Sequence, residues 1–131
     1  IEAEVVSQEE FKTWLSEKKE EAAAAPDLTP FADLDEAMEL GEQTYAGACA
    51  VCHGNNGEGG VGVAFAGSDF ATNEEHLDEH IDVLINGRAA MPAFGAQLSP
   101  REIAAVVTYE RNAWGNDTGD LIQPQDVQDH E

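Results

Sequence analysis

Basic residues are scarce in this sequence: six Lys and Arg stand against twenty-seven Asp and Glu, giving a net charge of −21 and an isoelectric point near 4.1. A chain this acidic repels phosphate backbones and anionic headgroups, which excludes nucleic acid and an acidic membrane surface as partners. Lysine is absent altogether after Lys19. No apolar run is long enough to cross a bilayer. No positively charged leader opens the chain, and one that starts on Ile1 is expected to be a processed product or an excised piece. Cysteine is confined to Cys49 and Cys52, so no disulfide framework is expected. With 131 residues, 42% of them hydrophobic, and a mean hydropathy of −0.38, the chain suffices for one domain with a modest core and not for a multi-domain enzyme.

What is present falls into three parts. In residues 1–34, Ser7 and Glu10 form a capping box ahead of Phe11, Trp14 and Leu15 at helical spacing. This N-terminal helical extension runs to Pro26, and the stretch to Pro30 reads as a linker. Residues 35–115 hold thirteen acids, three Arg and the expected compact domain. Residues 116–131 carry five acids, no base and no periodicity, and are expected to be an acidic, disordered tail.

The compact part reads as all-α. Ala37, Met38, Leu40, Gly41, Thr44, Tyr45 and Ala48 mark one face of a helix running from Asp35 to the first cysteine. Thr72-Asn73-Glu74-Glu75 is a second capping box before Leu77, Ile81, Leu84 and Ile85, and Asn86-Gly87 stops that helix. Ser99-Pro100-Arg101-Glu102 is a third box, leading into Ile103, Val106, Val107 and Tyr109. A Gly-rich loop, Gly54 to Gly67, joins the first helix to the second.

Cys49-Ala50-Val51-Cys52 alone suits a redox dithiol, half a zinc site or a disulfide. His53, immediately after, changes the reading. In C-x-x-C-H the two thiols add across the vinyl groups of haem, and the histidine on the same turn offers a ring nitrogen to the iron. Haem iron in electron transfer commonly takes Met at its other axial position. Of the two methionines, Met38 lies on a helix face and reads as core filler. Met91 lies in a loop between helices beside the stiff Pro92, and is the expected ligand.

Cys49 to Gly54, the Gly-rich loop, Met91-Pro92-Ala93-Phe94-Gly95 and the last helix together resemble a class I c-type cytochrome domain over residues 35–115. The resemblance implies the class I cytochrome c fold, a small helical domain wrapped around one covalent haem c with His/Met-ligated iron. It implies cofactor-binding roles for Cys49, Cys52, His53 and Met91, with His53 and Met91 on the metal, and no catalytic residue. The first and last helices are then expected to cross, Gly41 and Tyr45 meeting Val106 and Tyr109. Phe65, Phe70, Leu77, Ile81, Leu84, Phe94 and Leu98 are the expected pocket walls. In one respect the sequence departs from the pattern: the loop has no proline where many such domains orient the ligand histidine. A Val63 carbonyl can still accept the histidine's proton, since proline's absence removes stiffness and not the acceptor, and the sequence leaves open which carbonyl does so.

Val5 to Leu15 is similar to the end of the copper-binding domain of cytochrome c oxidase subunit II. That likeness implies a cytochrome domain fused to the C-terminus of that subunit in a haem-c-containing oxidase. It would relay single electrons from an external donor, a basic soluble cytochrome or a quinol-oxidising complex, through haem c to the copper centre of the same subunit. Such a domain is expected at the periplasmic or outer face of the bacterial cytoplasmic membrane, tethered through its parent subunit and monomeric when isolated. The competing reading is a free-standing periplasmic monohaem cytochrome that diffuses as a carrier. A haem enzyme or gas sensor needs an open iron position, which Met91 argues against. The lysine deficit favours the tether, since a diffusing carrier docks on an acidic acceptor through a basic face, whereas a linker makes such steering unnecessary.

His76-Leu77-Asp78-Glu79-His80 also matches the H-x-x-E-H zinc motif of inverted metallopeptidases. The apolar positions 77, 81, 84 and 85 give the plainer reading, a solvated helix face. Trp14 and Trp114 read as packing residues, and His130 as part of the disordered tail.

Overall fold

A computed structural model describes residues 27–130. The N-terminal helical extension and the Val5–Leu15 segment lie outside the described residues. Six helices follow in order: α1 Leu34–Ala48, α2 Ala50–His53, α3 Asp69–Thr72, α4 Leu77–Asn86, α5 Pro100–Asn112 and α6 Pro124–His130. No strand occurs among the described residues, so the all-α expectation holds.

Local chemistry explains the helix starts. The Asp33 carboxylate accepts from the Glu36 amide at 2.9 Å and opens α1. At α5 the predicted box forms in full: Ser99 Oγ accepts from the Glu102 amide, Glu102 Oε1 accepts from the Ser99 amide, and Pro100 stands in the first turn. The box expected at Thr72 does not form. The Thr72 hydroxyl instead donates to the Ser68 carbonyl and finishes α3, while Asn73 caps a 3₁₀ turn, Glu74–His76, that runs into α4.

Helices α1 and α5 cross at Gly41. A Cβ built there would lie 2.3 Å from the Ala105 carbonyl oxygen and 2.6 Å from Tyr109 Cβ, so only glycine permits this approach. Ala105 thus occupies the contact expected of Val106, which is buried beside it. Tyr45 packs on Tyr109 and Trp114 at ring-centroid distances of 5.6 and 5.0 Å, and Trp114 takes the packing role read for it. Met38 is half-buried.

Both ends of the domain differ from expectation. The acidic segment after Asn116, expected to be disordered, forms α6 and buries Ile122, Pro124 and Val127. Its apolar residues are few and irregularly spaced, and they find a face only because α5 supplies one. The linker likewise ends earlier than residue 34. Phe31 is buried, its amide and carbonyl both bonded to the Gln123 side chain, with the Arg101 guanidinium 4.3 Å from its ring centre.

Candidate functional site

The carbonyl of Tyr45, on α1, accepts from the Cys49 amide, and the next turn, α2, carries Cys49, Cys52 and His53 together. Cys49 and Cys52 are not joined in a disulfide; Cys49 is buried and Cys52 half-buried. Burial, reinforced by the charge of Glu110, pushes the Cys49 thiol up to about 12. A redox dithiol depends on an accessible, low-pKa thiolate, so the dithiol reading does not fit.

The Gly-rich loop folds back over α2. The Gly59 amide donates to the His53 carbonyl and the Gly62 amide to the Cys52 carbonyl. His53 Nδ1 lies 2.8 Å from the Val63 carbonyl oxygen, an acceptor that the loop offers in place of a proline-stiffened one. That bond leaves Nε2 as the free ring nitrogen. Gly62 lies flat against the ring, where a Cβ would come within 2.5 Å of Cε1 and 2.9 Å of Nε2. Phe65 stacks on the imidazole with centroids 4.4 Å apart. The ring is thus held by its edge and by its face.

Met91 lies on a tight turn in which its amide and carbonyl pair with the Arg88 carbonyl and amide at 2.9 and 3.1 Å. The Phe94 amide donates to Leu84 and the Gly95 amide to Ile85, laying this loop along the end of α4. Cys49 and four of the seven expected wall residues belong to one apolar cluster, and the other three pack against it together with Met91. Phe65, Ile81, Leu84 and Phe94 are buried in that cluster, with Phe70, Leu77 and Leu98 partly so.

The zinc motif finds no support. Among the described residues no group of three or more His, Cys, Asp or Glu is arranged to hold a metal ion. Nor is its histidine pair a solvated face. His76 is partly exposed, 3.2 Å from Asp69, but His80 is buried, with Nε2 2.6 Å from Glu110 Oε1. Sequence reasoning missed that pair. The signal was the register, since position 80 falls between Leu77 and Leu84 on the inner stripe of α4. His130 belongs to α6 and lies 3.5 Å from Asp82.

Residues 36–109 match the family model described as "Cytochrome C oxidase, cbb3-type, subunit III". The chain belongs to this family of cytochrome c domains. As a cytochrome c domain it carries one covalently attached haem c and transfers electrons. The cytochrome is 34% identical over 104 residues to the cbb3-type cytochrome c oxidase subunit FixP of Azorhizobium caulinodans, covering 72% of this chain and 31% of that protein. It is 33% identical over 101 residues to the cytochrome c subunit of alcohol dehydrogenase (quinone) from Gluconacetobacter polyoxogenes, covering 66% of this chain and 21% of that one. It is also 36% identical over 87 residues to cytochrome c6 of Gracilaria tenuistipitata, covering 65% and 77% respectively. The cytochrome therefore spans less than a third of two of these relatives and most of the third.

Proposed function

We propose that this cytochrome domain is a tethered relay of a terminal oxidase, taking single electrons from an external donor and passing them to the copper centre of the subunit that bears it. In this reading Cys49 and Cys52 would hold haem c through thioether bonds, and His53 and Met91 would ligate its iron. The bound haem supplies a one-electron couple, and the chain's part is to hold the ligands and keep water from the pocket. Covalent attachment is made outside the bacterial cytoplasm, which puts the domain at the periplasmic or outer membrane face. No helix among the described residues is long and apolar enough to cross a membrane, and attachment in this reading comes through the parent subunit.

The observation that carries the proposal is the pairing of the cations. Among the described residues the only Lys or Arg are Arg88, Arg101 and Arg111, and each is paired with a carboxylate, that of Glu79, Glu36 and Asp120. The domain therefore offers an acidic acceptor no basic face, and a basic donor a strongly attractive one. Val51 on the attachment turn, and Val61 and Val63 on the loop that holds His53, are exposed at 86, 90 and 65%. Exposed apolar side chains suit a brief contact of small area.

The test is electron uptake from a basic donor cytochrome as a function of ionic strength. The rate is expected to fall several-fold between about 10 and 200 mM salt, and an unchanged rate overturns the steering argument. In the parent subunit, onward transfer to copper is expected to be first order and independent of concentration. A second reading, a diffusing carrier, draws on the likeness to cytochrome c6 and requires second-order transfer instead.

Met91→Ala separates ligand from anchor. The thioether bonds are expected to retain haem c, while the Met-to-iron absorption band disappears and the midpoint potential falls, as visible spectra and a redox titration would record.

A further inference from the structure

Among the described residues, His80 and Glu110 form the one histidine–carboxylate contact with both partners buried, at 3 and 1% side-chain exposure. Taking a carboxylate and an imidazole out of water is costly even when they bond each other, and an apolar pair of similar volume often packs as well or better. Stability alone is therefore a poor account of them. Among the described residues only Glu110 bonds the His80 ring, whose Nδ1 is buried.

Glu110 reaches the loop around His53 by two routes. Through its side chain it fixes the His80 ring, which stacks on Phe65 at 5.9 Å and 22°, and Phe65 in turn stacks on His53 at 4.4 Å and 28°. Through its backbone it shares Asn116, whose Nδ2 donates to the Glu110 carbonyl at 2.8 Å and to the Phe65 carbonyl at 3.0 Å. Asn116 Oδ1 also accepts from the Gly67 amide at 2.8 Å. The segment gripped in this way, Val63 to Gly67, begins with the carbonyl that holds His53 Nδ1.

We propose that Glu110 is a positioning residue for the His53 imidazole, pinning the Val63–Gly67 segment through His80 and Asn116 and so setting the plane of the ring and the strength of its Nδ1 hydrogen bond. This rests on the reading of His53 as an iron ligand. Ring plane and Nδ1 bonding govern how strongly a ligand histidine donates to its metal. Loosening the segment weakens the Nδ1 bond, makes the imidazole a poorer donor and favours the reduced state.

The experiment compares Glu110→Leu, Glu110→Gln and Asn116→Ala holoproteins, with Val127→Ala as a packing control in α6. Ferric low-spin EPR g-values and the spread of the haem-methyl NMR shifts read the ligand plane, a redox titration reads the potential, and thermal melting reads stability separately. Glu110→Leu and Asn116→Ala are expected to displace both spectra and raise the potential. Glu110→Gln keeps an acceptor oxygen for His80 Nε2–H and is expected to return to the unsubstituted values. Val127→Ala is expected to lower the melting temperature and leave the spectra in place.

Unmoved spectra in Glu110→Leu and Asn116→Ala overturn the proposal, whatever their melting temperatures. It is equally overturned if Glu110→Gln moves as far as Glu110→Leu, which assigns the effect to charge, or if Val127→Ala moves the spectra as much. Where Glu110→Leu yields no holoprotein, Asn116→Ala decides. An unsubstituted ferric protein without a low-spin signal overturns the ligand reading of His53, and this inference with it.

Discussion

Replacing Cys49 and Cys52 together with serine is expected to leave a chain without covalent haem and without a cooperative thermal transition. The pocket side of the domain is built from short pieces. Helices α2 and α3 have four residues each, and the Gly-rich loop between them is held by a few hydrogen bonds to α2 and to Asn116. Isolated helices of that length are far below what is stable in water. They persist by packing, and a domain of this size has little surplus core. The crossing of α1 and α5 retains its own apolar contacts, so residual helicity is expected in far-ultraviolet circular dichroism. A haemochrome assay and near-ultraviolet melting check the two parts of the expectation. A serine variant that melts sharply at the holoprotein temperature would show that the polypeptide core is sufficient alone.

Two glycines of α1 are expected to respond to alanine with opposite signs. Gly41→Ala puts a methyl group 2.3 Å from the Ala105 carbonyl oxygen, a backbone atom that no rotamer change can move aside. Separating α1 from α5 there costs at least about 2–3 kcal/mol, lowering the melting midpoint by roughly 10 °C or more. A Cβ on Gly47 meets nothing within 4 Å. Gly47→Ala therefore yields only the helix-propensity gain, about 0.5–1 kcal/mol of stabilisation. Thermal melts of the two holoproteins test the pair together. A neutral or stabilising Gly41→Ala would contradict the crossing geometry.

The parts of the site that were legible in the sequence share a feature: each lies on a short, contiguous stretch. Cys49, Cys52 and His53 fall on one helical turn, so the spacing alone brings them together. Ser99 and Glu102 satisfy each other across three residues, which is why the start of α5 was readable to the residue. The Val63 carbonyl was one acceptor that the loop offered, ten residues from His53, and the structure selects it. At Thr72 the same pattern misled, since its hydroxyl had a nearer acceptor in the Ser68 carbonyl.

The sequence by itself determined the all-α class, the three principal helices, the turn that bears both cysteines and His53, and an acidic surface poor in cations. Helical periodicity, capping chemistry and net charge are local or summed properties, and they survive without knowledge of which segments meet. Only the tertiary structure decided that residues 116–130 fold onto α5, that Phe31 is clasped by Gln123 92 positions away, and that His80 is buried on Glu110 rather than turned to solvent. Each of these depends on a partner surface supplied by a distant element. The register of α4 puts position 80 on the inner stripe, but the carboxylate that makes this stripe hospitable to a histidine comes from α5 and is not encoded within α4.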